Sequence, residues 1–174
     1  MWILLLFLFL ALVLLFLVVS EFVAFLRTRV PFVPTHAGDI EFIVKKLGIK
    51  SAEVFYDLGS GNGKVVFLVE ALSGAKVKGF ELGWWTILYA KLKALIKGSK
   101  AEFVNKNFFK QDWSGANYIY CYLYPPLMSS IEDKFQEEMK PGSVAIVRDF
   151  PFPTMAYAEK YYLPKKHEIY IYRL

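Results

Sequence analysis

Residues 56–64 read YDLGSGNGK, in which an acidic residue is followed by three alternating glycines and a lysine. A β-type segment, 54–58, leads into this loop, and a helical pattern over 64–72 follows it. Glycines permit a tight turn and let a ligand approach the backbone, while the N-terminus of a helix offers free N–H groups to an anionic group such as a carboxylate. The stretch therefore predicts a strand–loop–helix unit that binds a small ligand.

The glycine spacing indicates which ligand this is. The pattern G-x-G-x-G differs from the G-x-G-x-x-G of dinucleotide-binding loops, and Asp57 precedes it directly. A second carboxylate, Glu81, ends the next predicted strand, 77–81, at the usual distance for accepting hydrogen bonds from ribose hydroxyls. The combination favours S-adenosylmethionine (SAM) over NAD. Alternatively, the loop is an ordinary turn and Glu81 is a carboxylate at the start of a helix.

Outward from this loop, short β-type segments alternate with helical ones, which predicts βαβ units and a mostly parallel sheet of the α/β class. Before the loop, apolar residues at helical spacing predict a helix that Thr35 caps and Gly48 ends. After it, tyrosine-rich segments around Pro164 predict a β-hairpin at one edge of the sheet. The predicted strands are 54–58, 77–81, 102–105, 118–123, 144–149, 157–163 and 168–173, and the helices between them are 64–72, 84–97 and 127–139.

The N-terminus has a different character from the rest of the chain. No charged or polar residue occurs over 1–19, and the apolar run resumes over 22–26. About 20 such residues span a bilayer as a helix. The alternative is a cleaved signal peptide, but no basic residue precedes the run and the run is longer than usual for one. Arg27 and Arg29 follow it, so we expect the N-terminus outside and the remaining domain in the cytoplasm, or on the matrix side of an organelle.

The composition narrows the remaining classes of function. Cys121 is the one cysteine, which excludes an intramolecular disulfide and predicts a buried structural thiol, and His36 and His167 lack metal-ligand spacing, so no metal site is predicted. The net charge of +5 arises entirely after residue 20. It suits a domain held against anionic lipid headgroups. Nucleic acid is the less favoured partner, because the lysines are scattered along the sequence.

Four segments together carry a resemblance to a known family. They are PFVPT at 31–35, DLGSGNGK at 57–64, GFEL at 79–82 and YLYPPLM at 122–128. The chain from about Val30 onward resembles the small membrane-anchored class I methyltransferases, which include the mitochondrial lysine methyltransferases of the ATP synthase c subunit and of the adenine nucleotide translocase, with prokaryotic relatives. The resemblance implies a Rossmann-like fold with a seven-stranded, mostly parallel sheet in the order 3-2-1-4-5-7-6 and an antiparallel C-terminal hairpin. We expect an anchor over 1–27, a proline-containing link over 28–35 and a SAM-dependent methyltransferase domain over 36–174.

The same resemblance assigns roles within the cofactor site. It implies that Asp57, Gly59 and Gly61 cradle the methionine moiety and that Glu81 holds the ribose. Other predicted cofactor contacts are Thr35, Ser60, Gly63 and Leu82, with Asn107 and Phe108 beside the adenine. The chain departs from many relatives in having Asn62 and Asn107 in place of Asp and Lys64 in place of Arg, which makes the match at Asn107 less secure.

Methyl transfer from a sulfonium is a direct displacement, so the protein mainly aligns the reactants and excludes water. Tyr124 and Asp149 end the fourth and fifth predicted strands, where open α/β sheets bind ligands. We predict that they orient the acceptor amine or take its proton, with a packed aromatic and a cap as the alternatives. The segment 150–153, FPFP, resembles the family's border of the active site, or is a rigid turn.

A membrane anchor favours an acceptor in the same membrane, so a lysine of a protein in or at the membrane is the leading hypothesis. Methylation of a lipid or quinone is one alternative. A nucleic-acid amine is less favoured: Tyr124, Pro125 and Pro126 resemble an Asn/Asp-Pro-Pro-aromatic motif, but Tyr cannot accept two hydrogen bonds from an amine. A non-catalytic, SAM-binding, membrane-tethered interaction module is the alternative from a different class.

Overall fold

The computed structural model describes residues 2–28 and 35–174, with side chains described for 2–19 and 35–174. The predicted link over 28–35 therefore lies, apart from its first and last residues, outside the described residues. The helices are α1 (Trp2–Thr28), α2 (Ala37–Leu47), α3 (Lys64–Ser73), α4 (Trp84–Lys97) and α5 (Met128–Glu138). The strands are β1 (Val54–Leu58), β2 (Lys76–Phe80), β3 (Glu102–Val104), β4 (Tyr118–Cys121), β5 (Val144–Arg148), β6 (Glu159–Tyr162) and β7 (Glu168–Arg173).

The seven strands form one sheet in the order β3-β2-β1-β4-β5-β7-β6. β1 to β5 pair in parallel, whereas β7 runs antiparallel to both β5 and β6. The predicted order, the reversed seventh strand and the C-terminal hairpin are confirmed. β1, at the centre, delivers the glycine loop to the carboxyl edge of the parallel strands, where open α/β sheets bind their ligands.

Alternating strand residues build a core on each face of the sheet. On one face, Phe55, Tyr120 and Ile146 pack with buried residues of α2, α3 and α4. On the other face, Leu58 and Val147 pack with α5. This is the period of two that places successive strand side chains on opposite faces. Because both faces are covered, the central strands β1, β4 and β5 carry no charged residue except Asp57 and Arg148, as expected for a parallel sheet.

The start of α2 differs from the prediction. The helix begins after His36, which makes no capping hydrogen bond with its side chain, so the prediction that Thr35 caps this helix is wrong. Thr35 is instead buried, and its Oγ1 lies 3.2 Å from the hydroxyl of Tyr120. A buried tyrosine hydroxyl requires a hydrogen-bond partner, and this requirement prevails over local capping.

Helix α1 is 27 residues long, and its window Trp2–Val19 is apolar and exposed. Its length and composition suffice to cross a membrane, a test that N-terminal signal sequences also pass. The helix meets the domain at α4, where the ring centroids of Phe16 and Trp85 lie 6.3 Å apart in an edge-to-face arrangement.

Candidate active site

The glycine loop is fixed to the end of the neighbouring strand. The N–H groups of Gly59 and Ser60 donate to the carbonyl of Phe80 at 2.9 and 2.8 Å. Gly59, Gly61 and Gly63 all have positive φ, which favours glycine over any residue with a side chain. At Gly63 the space is also closed, because a Cβ would lie 2.6 Å from the ring of Phe103. The loop is thus a rigid turn that leads directly into α3.

Glu81 lies against this loop, and its predicted contact with the ribose stays a prediction. Its Oε2 accepts from the N–H of Gly61 at 2.9 Å and its Oε1 accepts from the N–H of Gly83 at 2.8 Å. The carboxylate is half-buried and keeps acceptor capacity beyond these two bonds. The structure therefore brings the two acidic positions of the motif, Asp57 and Glu81, to one edge of the sheet.

Asn105 is a site residue that sequence reasoning did not single out. Its Nδ2 donates to the backbone carbonyls of Glu81 and Leu82 at 2.9 and 3.0 Å, so the end of β3 holds the segment after β2 in place. The available signal was a polar residue at the end of the third predicted strand. Leu82 itself is exposed beside this segment.

Asp57 is buried, and its Oδ2 has no hydrogen-bond partner within the described residues. Burial, and secondarily the charge of Glu81, raises the pKa of Asp57 from 3.8 to about 8. The buried hydroxyl of Ser60, in the adjoining loop, also lacks a partner in the described part of the chain. Unpaired buried polar atoms are destabilising, so these two atoms suit a ligand that carries a cation and a hydrogen-bonding group.

A polar cluster is buried beside Asp57. Tyr120 is paired in register with Asp57 across β1 and β4, and burial raises the pKa of its hydroxyl. The fully buried guanidinium of Arg148 forms an ion pair with Asp39 of α2 at 2.6 Å and lies 4.9 Å from the ring centroid of Tyr122. These contacts attach α2 to the sheet next to the glycine loop. The sequence analysis missed Asp39, Tyr120 and Arg148, although a charged residue at the end of an apolar strand was a visible signal at Arg148.

Asn107 and Phe108 adjoin a short 3₁₀ helix after β3. The side chain of Asn107 accepts from the N–H of Phe109 at 2.9 Å. Phe108 is buried, and its carbonyl accepts from the indole N–H of Trp113 at 3.0 Å. Both residues therefore have structural partners within the fold, and their proximity to adenine stays a prediction.

The two predicted catalytic residues occupy different surroundings. Asp149 has a φ of 60°, and its carboxylate lies 2.8 Å from Nδ1 of His167 and accepts from the N–H of Glu168 at 2.9 Å. It therefore links the end of β5 to the C-terminal hairpin. Tyr124 is 44% exposed and stands on the loop after β4. Of the two, Tyr124 is the one accessible to an incoming substrate.

An apolar pocket opens beside Tyr124. It has a volume of about 360 Å³ and lies between the segment after β4 and the segment after β5, with Pro125, Pro126, Phe150, Pro151 and Pro153 in its wall. The predicted border segment 150–153 thus lines a concave surface. Within the described ranges, no group of three or more His, Cys, Asp or Glu side chains is arranged to hold a metal ion.

The chain is similar to known methyltransferases. A family model described as the ANTKMT methyltransferase domain matches residues 57–159. The lysine N-methyltransferase of the ATP synthase c subunit from Rattus norvegicus is 30% identical over 147 residues, which are 82% of this chain and 67% of that protein. The adenine nucleotide translocase lysine N-methyltransferase of Mus musculus is 29% identical over 74% of this chain and 57% of its own length.

Solved structures share the same fold. The crystal structure of an RNA methyltransferase from Salinibacter ruber, in complex with S-adenosyl-L-homocysteine, superposes with a TM-score of 0.77. It is 25% identical, and the match covers 81% of this chain and 93% of that one. A bound methyltransferase product in this relative agrees with the ligand class that the glycine loop predicts.

Proposed function

This chain belongs to the ANTKMT methyltransferase-domain family of SAM-dependent protein-lysine N-methyltransferases, and from that premise we propose that its acceptor is a lysine of a protein in or at a membrane. Family, cofactor and reaction class, as predicted from the motifs, are thereby confirmed. The observation that carries the proposed site is the buried Oδ2 of Asp57, which has no hydrogen-bond partner among the described residues and lies at the start of the glycine loop that Glu81 contacts.

We infer the placement of the cofactor from this arrangement. The carboxylate of Asp57 suits the ammonium of the methionine moiety. The turn at Gly59, Gly61 and Gly63 leaves room for the amino-acid end of this moiety. Glu81 remains able to accept from ribose hydroxyls, with Asn105 fixing its backbone. Bound SAM supplies an electrophilic methyl group. Thr35 and the buried cluster around Arg148 hold α2 over this edge, which limits the access of water.

The apolar pocket next to Tyr124 is the proposed path of the acceptor lysine. Proline and phenylalanine side chains suit the aliphatic stem of a lysine, and their low polarity disfavours the ammonium form, so the amine arrives as a nucleophile. The exposed hydroxyl of Tyr124 is the proposed group that orients the amine. Asp149, which is already bound by His167 and Glu168, is proposed to act as a positioning residue for the hairpin beside the pocket.

Two observations support an acceptor at a membrane, namely the apolar helix α1 and the names of the relatives. By those names, the relatives methylate the c subunit of ATP synthase and the adenine nucleotide translocase. If α1 anchors this chain, with its N-terminus outside and the catalytic domain on the cytoplasmic or matrix side, every acceptor in that plane has a raised effective concentration. The division into anchor, link and domain at residues 27 and 35 belongs to the same proposal.

The acceptor class is tested by incubating the full chain with radiolabelled SAM and a membrane fraction that also contains lipid and RNA. We expect the label in protein bands and, by mass spectrometry, on lysine side chains. Label recovered in the lipid extract would contradict the lysine proposal in favour of a lipid or quinone acceptor. Label removed by ribonuclease would favour an RNA acceptor, the candidate to which the Salinibacter ruber relative points.

The cofactor site is tested by calorimetric titration with S-adenosyl-L-homocysteine. Replacing Glu81 with Ala removes charge-assisted hydrogen bonds to the ribose, which contribute about 1.5–3 kcal/mol, so we expect affinity to fall by roughly 10- to 100-fold. Glu102→Ala is the matched control, because Glu102 is an exposed carboxylate at the start of β3 that pairs with Lys78. Equal affinities for the two variants would mean that the ribose is held elsewhere.

A further inference from the structure

Helix α4 has an apolar face on each side. Its buried side, with Ile87, Ala90 and Ala94, packs on the sheet. Its outer side exposes large apolar residues to an unusual extent: Leu95 is 79% exposed and Ile96 is 86% exposed. Trp84, Tyr89 and Leu92 are also exposed on this helix. A contiguous exposed apolar surface of this kind marks a contact surface in soluble and membrane-associated proteins.

The arrangement of charges around the helix defines this outer face. At about 100° per residue, the five exposed apolar residues fall within an arc of roughly 140°. Lys91 lies at one margin of this arc, and Lys93 and Lys97 lie beyond the other. α4 contains no acidic residue. An apolar band bordered on both sides by lysines is the pattern of a helix that lies in the plane of a membrane surface, with its apolar side in the acyl boundary.

The lysines can reach the headgroups without exposing their stems. The Nζ atom of Lys93 lies 5.2 Å from the ring centroid of Phe67 and 5.8 Å from that of Tyr89, so this lysine packs beside aromatic surface at the margin of the outer face. Such side chains extend their charge toward water or phosphate while the stem stays in an apolar layer.

The position of α1 places this face at the depth of a membrane surface. Phe16, which contacts Trp85 at the start of α4, is five residues before Glu21, the first charged residue of the chain, and so lies about 8 Å along the helix from it. α4 therefore adjoins the domain-side end of the membrane span, where tryptophan and tyrosine are enriched. Trp85, which Phe16 contacts, falls within the same arc, whereas Leu95 and Ile96 remain exposed with α1 in place, so α1 covers only the start of the outer face.

We propose that the outer face of α4, formed by Trp84, Tyr89, Leu92, Leu95 and Ile96, lies in the interface of an anionic lipid bilayer, with Lys91, Lys93 and Lys97 at the headgroups. The proposal rests on the part of the proposed function that makes α1 a membrane anchor. Because Trp84 follows Glu81 by three residues, this docking holds the cofactor edge of the sheet close to the membrane surface. An acceptor lysine near that surface is then within reach of the active site.

The test uses spin labels on cysteines that are introduced one at a time into the full chain, in vesicles of phosphatidylcholine with phosphatidylglycerol. Labels are attached at Leu95→Cys and Ile96→Cys, and the matched control is Gln136→Cys, an exposed position on α5 across the sheet. The unsubstituted chain gives the labelling background of the buried Cys121. We expect the two α4 labels to collide more with oxygen, which is concentrated in lipid, than with a water-soluble nickel chelate. The order inverts at Gln136.

A fourth label, Leu10→Cys on α1, separates this proposal from the anchor. Lipid exposure at Leu10 together with aqueous exposure at residues 95 and 96 would overturn the docking of α4 while leaving the anchor intact. Aqueous exposure at all three would overturn both. Dipolar broadening between labels on residue 96 would show that a second copy of the chain covers the face, which also contradicts the proposal.

The role of the lysines is tested in the same vesicles. We expect the lipid exposure of the Ile96→Cys label to fall when phosphatidylglycerol is omitted. In a variant that also carries Lys91→Gln and Lys97→Gln, we expect lipid exposure to be the same with and without phosphatidylglycerol. Lipid exposure that is the same with and without anionic lipid would overturn the assignment of these lysines to the headgroups. Cofactor titration of the labelled variants should stay unchanged, since none of these positions lies in the proposed cofactor site.

Discussion

At the scale of single residues, Asp57 shows how a site is prepared for its ligand. The carboxyl is buried, its Oδ2 has no hydrogen-bond partner among the described residues, and it is close enough to Glu81 for their charges to repel. Such a group is held protonated in the free protein, whereas a cation from the ligand would stabilise the carboxylate. Burial of the Asp57 carboxyl therefore destabilises the free protein until a ligand binds. A residue that only stabilised the core would not carry this cost.

The pH dependence of stability follows from this burial. Folded Asp57 holds its proton up to about pH 8, whereas an unfolded aspartate releases it near 3.8. Between these values the folded state binds more protons, so the free energy of unfolding of the ligand-free chain falls as pH rises. We expect a loss on the order of 1–2 kcal/mol between pH 6 and pH 7.5. Thermal unfolding across this range measures it.

Asp57→Asn removes the titrating group at nearly the same volume. We expect this variant to show a flatter profile and to exceed the unsubstituted chain in melting temperature at pH 8. Asp133→Asn, at an exposed position on α5, is the control and should keep the original slope. An unaltered slope in Asp57→Asn would assign the pH dependence to other groups.

At the residue level, the sequence singles out candidate site residues only where the pattern that marks them is local. Asp57 and Glu81 are recognisable because each ends a strand at a fixed distance from the glycine loop. Asn105, Tyr120 and Arg148 are not, since their partners come from segments that are distant in sequence and meet only in the folded sheet. Thr35 shows the same limit: a local rule predicts a cap, but the tertiary partner is 85 positions away.

At the scale of elements, the glycine loop depends on both conformation and space. Gly63 has a φ of +78° and a blocked Cβ position, whereas Gly98, with a φ of +63°, has open space around it. Most element boundaries are predictable to within one or two residues, because periodicity and glycine or proline mark them, as for β1 and α4. How closely two elements approach, as Gly63 does to Phe103, is not visible in the periodicity.

The comparison of these two glycines isolates the contribution of packing. Gly98→Ala introduces only backbone strain, about 1 kcal/mol. Gly63→Ala adds a clash with the Phe103 ring, so we expect roughly 1–3 kcal/mol of further destabilisation. Chemical denaturation of both variants measures the difference. Equal losses would mean that the ring of Phe103 moves aside freely.

The ion pair between Asp39 and Arg148 joins α2 to β5. Arg148→Met leaves the buried carboxylate of Asp39 unpaired, and we expect a loss of about 3–5 kcal/mol in the free energy of unfolding. Adding Asp39→Leu removes the unpaired carboxylate and should restore most of the lost free energy of unfolding. A double-mutant cycle by denaturation gives the coupling. Additive losses would show that the two residues act independently.

At the scale of the whole molecule, the proposed orientation in a membrane rests on the charges next to the apolar helix. Arg27 and Arg29 follow the apolar run on the domain side. Basic residues are retained on the cytoplasmic side. The orientation is therefore a property of a few residues flanking α1, largely separate from the fold of the domain.

We expect protease added outside intact cells to leave the domain undigested. Replacing Arg27 and Arg29 with Gln while inserting lysines before Trp2 should expose the domain in a large fraction of molecules, because the charge bias is reversed. Western blotting after protease treatment, with a detergent-lysed sample as control, gives the fraction. Digestion of the original domain in intact cells would reverse the proposed orientation.

The sheet order also governs how the molecule is made. β7 lies between β5 and β6, yet the ribosome synthesises it after both. Until β7 has left the exit tunnel, β6 has no neighbour and β5 has a free edge, so Asp149 cannot bond His167 and Glu168 until these residues are synthesised. Since α1 emerges more than a hundred residues earlier, insertion into a bilayer, where it occurs, precedes completion of the catalytic domain.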